Sequence, residues 1–563
     1  MPQLPAEKRK VVLVDRTAVM IAMCLGALQA WAGRQWMNPD GVSYLDIGDA
    51  YLRGDWKNAI NGYWSPLYSI WLGAAQHILK PSIPREFPVV HLVNFFIFLL
   101  ALAAFRIFLW STIKTTAQAT DADTIASLPQ WAITAIGYVI FLWSTLVLDD
   151  LILVTPDILL QAWIYLLGAL LLELRTRNTY WKFAAFGVIY AFAYLTKGVM
   201  FPLSVVFFAV LLFSGPFSAR RISGVIVAGI MFLLVASPFI YSLSRSKGRL
   251  TSGDTGKLAY AELVSPHTPQ MHWQGYPPGG GIPVHSTRRI LEDPPVFEFA
   301  QPIKGTYPPW YDPSYWNEGM RANFNLRAQV RVLVESALRY GEMLADYAPL
   351  LVAIIVLVLI GGRYGLHSIA RNWPLVLISC AAAGLYGLVL VTTRYVAGFA
   401  ALALVSILAG IRLPRDKSQP ISNYITIAVL VAMFLTLFTD VGRSVHKAVT
   451  TGPGPSMAEQ ALVAQGLRNM GLRANDQVAV LGDGSISYWA RLGRFEIIAE
   501  IDPLDPAGLK YWANNEGQRQ AARDLVMHAG SRAIVAWNPP AGSSSENWKQ
   551  VASTHYYAYI FQP

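Results

Sequence analysis

Residues 87–110, FPVVHLVNFFIFLLALAAFRIFLW, decide the class of fold. The stretch carries one formal charge, Arg106, and it is long enough to cross a bilayer, because a hydrocarbon core of ~30 Å takes about 20 apolar residues wound as a helix. Ten further runs meet the same reading at 17–33, 130–148, 152–174, 180–196, 199–217, 222–243, 343–361, 373–392, 396–411 and 421–439, so about eleven transmembrane helices are expected. The runs at 180–196 and 199–217 are short or interrupted. Composition agrees, since the 563 residues are 54% hydrophobic and only 14% charged, with a mean hydropathy of +0.37. A water-soluble globule needs roughly 25% charged residues to stay solvated.

Lys and Arg outnumber Asp and Glu by 45 to 35. In a soluble protein that excess would suggest nucleic acid, but here the basic residues fall between apolar runs, where headgroups and topology account for them. No nucleic-acid partner is expected. The two cysteines, Cys24 and Cys380, sit inside apolar runs and offer neither a disulfide framework nor a thiolate metal site. The first run lacks a small-residue cleavage site and reads as a retained anchor, which leaves the N-terminus in the cytoplasm.

With that orientation every cytoplasmic segment is basic: Lys8, Arg9, Lys10 and Arg16; Lys114; Arg175, Arg177 and Lys182; Arg220 and Arg221; Arg363 and Arg371; Arg412, Arg415 and Lys417. Two long segments, 34–86 and 244–342, then lie outside, together with everything from about 441 onward. The expected division is a transmembrane unit, 1–440, and a soluble extracytoplasmic unit, 441–563, in the inner (plasma) membrane of the cell.

Within 34–86, Tyr44, Ile47 and Tyr51, then Leu67, Ile70, Trp71 and Ala74, recur at helical spacing and predict two interfacial helices. The 244–342 segment is too irregular for repeated strands and too aromatic for a tether, as in Trp273-Gln274-Gly275-Tyr276-Pro277-Pro278, and reads as an ordered flap over a site. Beyond residue 458, helical patterns at 458–472 and 517–528 alternate with strand patterns at 478–481, 533–536 and 556–561, which predicts a small α/β domain. Gly482-Asp483-Gly484 follows a strand but lacks the full dinucleotide spacing and reads as a turn.

The topology rests on basic loops alone, yet it gathers other polar groups at one membrane face: Asp40, Asp149, Asp150, Asp157, Lys197 and Arg394. Each alone reads equally well as a span-end residue reaching water. Several on one face point to a polar cavity, because ionisable groups at the apolar boundary are costly.

Asn38-Pro39-Asp40-Gly41-Val42-Ser43-Tyr44, then Gly54-Asp55-Trp56 and Asn61-Gly62-Tyr63-Trp64-Ser65-Pro66, resemble the first outer loop of the type C glycosyltransferases. The likeness is to the branch that holds the protein O-mannosyltransferases and the lipid A aminoarabinose transferase. Thr155-Pro156-Asp157, Leu195-Thr196-Lys197-Gly198 and Thr393-Arg394-Tyr395 fit that branch in order and on the expected side. The resemblance covers about residues 16–411 and implies transfer of a sugar from a polyprenyl-phosphate carrier to an extracytoplasmic acceptor. Three departures stand out: Gly41 replaces a second acid, Ser43 a basic residue and Ser65 a lysine. The last two changes remove cations expected to hold the carrier phosphate and make the aminoarabinose donor itself unlikely as substrate. Lys197, Arg394, Arg53 and Lys57 are the remaining candidates for that task.

Such a transfer needs a base for the acceptor hydroxyl and cations for the departing phosphate. Asp40 is the expected base, with an Asx-type turn residue as its bland alternative, and Asp157 orients the acceptor or a cation. Asp46 and Asp49 compete with Asp40 but read as the solvated face of the interfacial helix. Tyr44, Tyr63 and Tyr395 are the expected pocket aromatics. No cofactor is required; a divalent metal at His267, His272 and His285 is an alternative to ordinary surface histidines. A transporter or flippase of a lipid-linked substrate is the leading rival reading, and a non-catalytic scaffold the second. No inverted repeat is visible, and the polar groups lie near one face rather than at the midplane.

Overall fold

The computed structural model describes residues 6–117, 125–265, 271–299, 302–370, 372–414, 418–450, 457–505, 508–540 and 547–561. Each of the eleven apolar runs contains a helix, though not always over its whole length. Among the described residues, seven helices are long and apolar enough to cross a membrane: Glu7–Ala32, Ile83–Thr115, Gln130–Leu148, Asp157–Thr176, Ala219–Lys247, Thr393–Gly410 and Pro420–Lys447. The pair Leu326–Asp346 and Ala348–Gly362, bent by 79°, meets the same length and composition only when the two helices are taken together, as a broken span or a re-entrant loop. Tyr180–Thr196 and Met200–Phe213 are shorter, as their short or interrupted runs suggest, and Trp373–Gly387 is shorter too, ending before the run it belongs to. The run at 343–361 is thus broken at Tyr347, and the residues before it form an amphipathic helix that leaves Leu333, Val334 and Leu338 exposed along one side.

The fourth crossing begins at Asp157, five residues later than its apolar run suggests. Residues 149–156 turn instead of winding, and Pro156, which has no N–H for the ladder, stands at the cap of the new helix. The third crossing ends in a π-helical turn, Ser144–Leu148, a local unwinding that often accompanies function.

Both interfacial helices are present. Pro39–Leu52 starts at the pair Asn38-Pro39 and Pro66–Leu79 at Ser65-Pro66, each with proline in its first turn, where the missing N–H and fixed φ fit a helix start. They cross on their glycines: a Cβ on Gly48 would lie 2.3 Å from the Ser69 carbonyl oxygen. Because that obstacle is backbone, no rotamer change relieves it. Gly48→Leu is therefore expected to push the two helices apart and lower the detergent-solubilised yield and Tm, by more than the ~1–3 kcal/mol of ordinary overpacking. A Tm equal to that of the wild type would show that the crossing can widen freely.

The C-terminal region forms a seven-stranded mixed sheet in the order Arg288–Leu291, Val296–Glu298, Glu496–Ile501, Gln477–Leu481, Ala533–Trp537, Tyr556–Ile560, Lys549–Gln550. Only the three central strands are parallel. The 244–342 segment, read from sequence as too irregular for repeated strands, contributes one short hairpin to this sheet: Val296 pairs with Ile501 and Glu298 with Ala499, antiparallel. Glu496–Ile501, which sequence patterning passes over, is buried along nearly its whole length, Glu500 included.

Arg491, on the short helix Tyr488–Gly493, fastens this sheet region to the interfacial helix. Its guanidinium meets Asp46 at 2.6 Å, Asp49 at 2.7 Å and Glu86 at 2.6 Å, while Arg494 reaches Asp49 at 3.1 Å and Glu86 at 3.0 Å. Asp46 and Asp49 are consequently not a solvated face. Asp46 is buried and also accepts from the backbone N–H and hydroxyl of Thr306 at 2.7 and 3.0 Å.

Candidate active site

Asp40 sits in the first turn of Pro39–Leu52, and the turn is tied to the segment that carries Asp157. The Asn38 side chain accepts from the Val154 N–H at 2.9 Å and donates to the Val154 carbonyl at 3.4 Å, two residues before Pro156 opens the next helix. Gly41 completes the approach, because a Cβ there would stand 2.5 Å from the Met37 sulfur and 2.8 Å from Val154 Cβ. The missing second acid is therefore a packing requirement in this chain: no side chain fits at position 41.

Lys197 follows the C-terminus of Tyr180–Thr196 and is set against Asp157 by a link one residue earlier, where Trp163 Nε1 donates to Thr196 Oγ1 at 3.0 Å. Lys197 Nζ and Asp157 Oδ1 form an ion pair. Arg394 is placed by its neighbour Thr393, whose hydroxyl donates to the Leu148 carbonyl at 2.7 Å. Its guanidinium lies 3.8 Å from Asp40 Oδ2 and 3.8 Å from Asp157 Oδ2. Two carboxylates and two cations from four separate segments thus converge. Asp157 is almost fully enclosed, at 2% side-chain exposure, whereas Asp40 and Arg394, at 22% each, and Lys197, at 19%, keep an open side. Asp157 also stands at the start of its helix, where the dipole favours a negative charge.

Aromatic rings line the cluster. Lys197 Nζ lies 3.5 Å from the centroid of Tyr395, which packs on Tyr386 at 5.1 Å. On the Asp40 side, Tyr44 and Trp64 meet edge to face at 5.1 Å, Tyr63 and Trp64 at 4.7 Å, and Trp310 lies 5.6 Å from Trp64. Trp310 Nε1 donates to Asp40 Oδ1 at 3.1 Å. Burial pushes the Asp40 carboxyl above its ordinary range, against the lowering influence of Arg394 and the Trp310 N–H.

Sequence reasoning missed Trp310. Its signal is the aromatic string Tyr307-Pro308-Pro309-Trp310-Tyr311, but nothing in the string indicates a partner 270 residues away. Asp149, flagged only as part of the polar face, is fully buried beside this cluster. Its Oδ2 accepts from Gln161 Nε2 at 2.8 Å, Oδ1 has no hydrogen-bond partner among the described residues, and burial, with Asp157 adding to it, holds the carboxyl well above its ordinary range.

Arg53 and Lys57 are not brought to the cluster. They lie past the far end of Pro39–Leu52, some thirteen residues or ~20 Å of helix from Asp40. Arg53 instead lines a cleft of about 480 Å³ with Asp49, Asp55, Lys304 and Arg494. The expectation that these two hold a phosphate beside Asp40 finds no support in this geometry. The histidines separate as well: His272 bonds Glu500 at 2.5 Å, His285 stacks on Tyr315 at 4.0 Å and pairs with Glu318, and His267 lies outside the described residues. Among the described residues no group of three His, Cys, Asp or Glu side chains is arranged to hold a metal.

The helix arrangement, the first-loop helices and the appended sheet together make a polytopic membrane fold, and the likeness of this fold to solved membrane proteins is one of architecture. No protein-family model matches the chain, and no curated protein matches it. Among solved structures it is similar over 98% of its length, and 98% of the other's, to ArnT from Cupriavidus metallidurans bound to undecaprenyl phosphate, with a TM-score of 0.50 at 10% identity. The archaeal oligosaccharyltransferase AglB from Archaeoglobus fulgidus, in complex with an inhibitory peptide and a dolichol-phosphate, is matched over 92% of this chain and 69% of that one, with a TM-score of 0.44 at 11% identity. Another structure of the Archaeoglobus fulgidus enzyme, in complex with zinc and sulfate, is matched with a TM-score of 0.46 at 11% identity over 93% of this chain and 67% of that one.

Proposed function

We propose that this chain is a membrane glycosyltransferase that moves a sugar, hexose or pentose, from a polyprenyl-phosphate carrier to a hydroxyl of an extracytoplasmic lipid, glycan or protein. The observation that carries the reading is the convergence of Asp40, Asp157, Lys197 and Arg394, each from a different segment, on one aromatic-lined opening. The reading includes the orientation derived from the basic loops, with the N-terminus in the cytoplasm, the opening on the outer face of the plasma membrane, and the residues beyond the Pro420–Lys447 crossing, which runs past the expected boundary at 441, as an outer domain.

In the proposed reaction the acceptor oxygen attacks the anomeric carbon of the donor while its proton passes to Asp40. The bond between that carbon and the phosphate oxygen breaks, and the phosphate departs with the electron pair. A single displacement of this kind needs one carboxylate on the acceptor side. Lys197 and Arg394 meet the charge that grows on the leaving phosphate, in a site where partial exclusion of water strengthens the interaction. Asp157 holds both cations at the proper spacing between turnovers. Tyr44, Tyr63 and Tyr395 present ring faces and edges to the sugar. No step calls for a metal, because a phosphate ester is already a good leaving group.

The deciding experiment follows a purified, detergent-solubilised protein given a polyprenyl-phosphate sugar, with release of polyprenyl phosphate as the readout. Donor consumption that depends on Lys197 and Arg394 supports the reading; transport of intact donor without cleavage overturns it. Lys197→Met and Arg394→Lys are each expected to lower turnover and weaken apparent donor affinity, the second because an ammonium cannot copy a planar fork that spans Asp40 and Asp157. Unchanged turnover and affinity in both would remove the phosphate role.

A further inference from the structure

Trp310 is fixed more firmly than a loop aromatic that merely covers a site. Its backbone carbonyl accepts from the Ser43 hydroxyl at 2.9 Å and from Trp64 Nε1 at 3.0 Å. Next to it, the Tyr311 carbonyl accepts from Asn61 Nδ2 at 2.7 Å and the Tyr311 hydroxyl donates to the Asn58 carbonyl at 2.5 Å. Four hydrogen bonds from the 43–64 stretch therefore hold one dipeptide of the long 244–342 segment in register with the helix that carries Asp40. The Trp310 ring is further restrained by Trp64 at 5.6 Å and Tyr63 at 5.9 Å. With backbone and ring both set, the one polar atom of the side chain points to Asp40 Oδ1 at 3.1 Å.

We propose that Trp310 is the positioning residue of the base: its indole N–H occupies one oxygen of Asp40 and fixes the carboxylate so that the other oxygen faces the reaction. The proposal rests on Asp40 acting as the base. An indole nitrogen donates and cannot accept, so it can neither take the acceptor proton nor compete for it. A hydrogen bond to a carboxylate restrains a short side chain, and here the indole that donates it, at 3.1 Å, is itself held by its backbone and ring contacts. The two oxygens are thereby made inequivalent. Oδ1 is held by Trp310, and Oδ2 is left toward Arg394 at 3.8 Å, on the side where the cations lie. The same bond favours the ionised carboxylate against the cost of burial.

The charged and titratable groups around Asp40 are Arg394, Lys197 and Asp157 from the helix ends, Tyr44 from its own helix and Tyr488 from the C-terminal region. None of them is altered by a change at 310 that keeps the ring. Two aromatic replacements are available, of which only the second keeps the fused ring. Trp310→Phe removes the donor, and 3-benzothienylalanine incorporated at position 310 replaces the N–H by sulfur at nearly constant shape, which serves where the phenylalanine protein fails to fold.

The experiment is a pH profile of kcat and kcat/KM for donor consumption by the full-length protein in detergent. Loss of the donor is expected to move the acid limb to higher pH, because the ionised form of Asp40 loses a stabilising bond. It is also expected to lower kcat more than it raises KM for the donor, since the phosphate contacts are untouched. An acid limb that stays in place in the benzothienylalanine protein overturns the proposal, whatever happens to the absolute rate, because a merely structural ring would alter rate and stability without moving the limb. Asp40→Asn, measured alongside, separates the two ideas. Near-normal transfer by that variant overturns the base assignment itself, whereas its inactivity combined with an unmoved limb at position 310 overturns Trp310 alone.

Discussion

An Asp40→Asn protein is expected to fold as the wild type does and to transfer sugar ~10²–10⁴-fold more slowly, the usual loss when a general base is removed. Asparagine keeps the length and shape of the side chain. Its carbonyl oxygen can still accept from Trp310 Nε1, so the bond that holds the turn survives. What it cannot do is take a proton. The alternative role, that of an Asx-type turn residue, is served about as well by asparagine as by aspartate, so the two readings part at this substitution. The pH profile adds a second check. Because burial raises the Asp40 carboxyl, the ionised base is depleted as the pH falls through a value higher than an ordinary carboxylate shows, and wild-type transfer should decline there. That limb should be absent from any residual activity of the asparagine protein. Near-normal transfer by a well-folded variant would pass the role to Asp157, the next carboxylate to test.

The helix content of this chain is legible because each run's own composition demands lipid, and no distant residue is needed to reach that conclusion. The conclusion weakens where a run is short or broken. Tyr347 divides one apolar stretch into two helices that meet at 79°, and Pro349 in the first turn of the second helix, with no N–H to extend the ladder of the first, marks the break. The four charged residues of the site are legible for a related reason: a charge at the edge of an apolar segment stands out against its surroundings. Trp310 carries no such contrast, being an aromatic in an aromatic-rich loop, and its role comes from partners that only folding supplies. Asp149 does stand out as a charge at an apolar edge, but its burial against Gln161 beside Asp157 is supplied by the fold. Gly41 shows the limit from the other side. Its departure from the family pattern is visible in the sequence, but the cause, the Val154 side chain filling the space, is not.

The largest expected loss of stability belongs to Arg491. Arg491→Met keeps much of the side chain's volume but leaves Asp46, Asp49 and Glu86 gathered around an apolar tip, with Arg494 as the remaining cation that touches Asp49 and Glu86. Breaking a buried ion pair from one side costs about 3–5 kcal/mol, because the partner charge stays desolvated and uncompensated. Here three carboxylates lose the same partner. Burial alone would push the Asp49 carboxyl up, yet Arg491 and Arg494 hold it below its ordinary range. A carboxyl depressed by folding contributes stability that is present above its unfolded value and lost as the pH falls through the folded one. In the methionine protein the depression by Arg491 is gone, so the Tm deficit relative to the wild type should be largest near neutral pH and shrink as the carboxylates are protonated in acid. Because Asp46 and Asp49 lie on the same helix as Asp40, loosening this junction should also free residues 457–561 to limited proteolysis and slow donor turnover without abolishing it. Unfolding curves at neutral and acidic pH, together with the rate at which protease releases a C-terminal fragment, measure both effects. A Tm and a proteolysis rate equal to those of the wild type would mean that the sheet region is held to the helix bundle by its apolar contacts, and that the charged junction adds nothing.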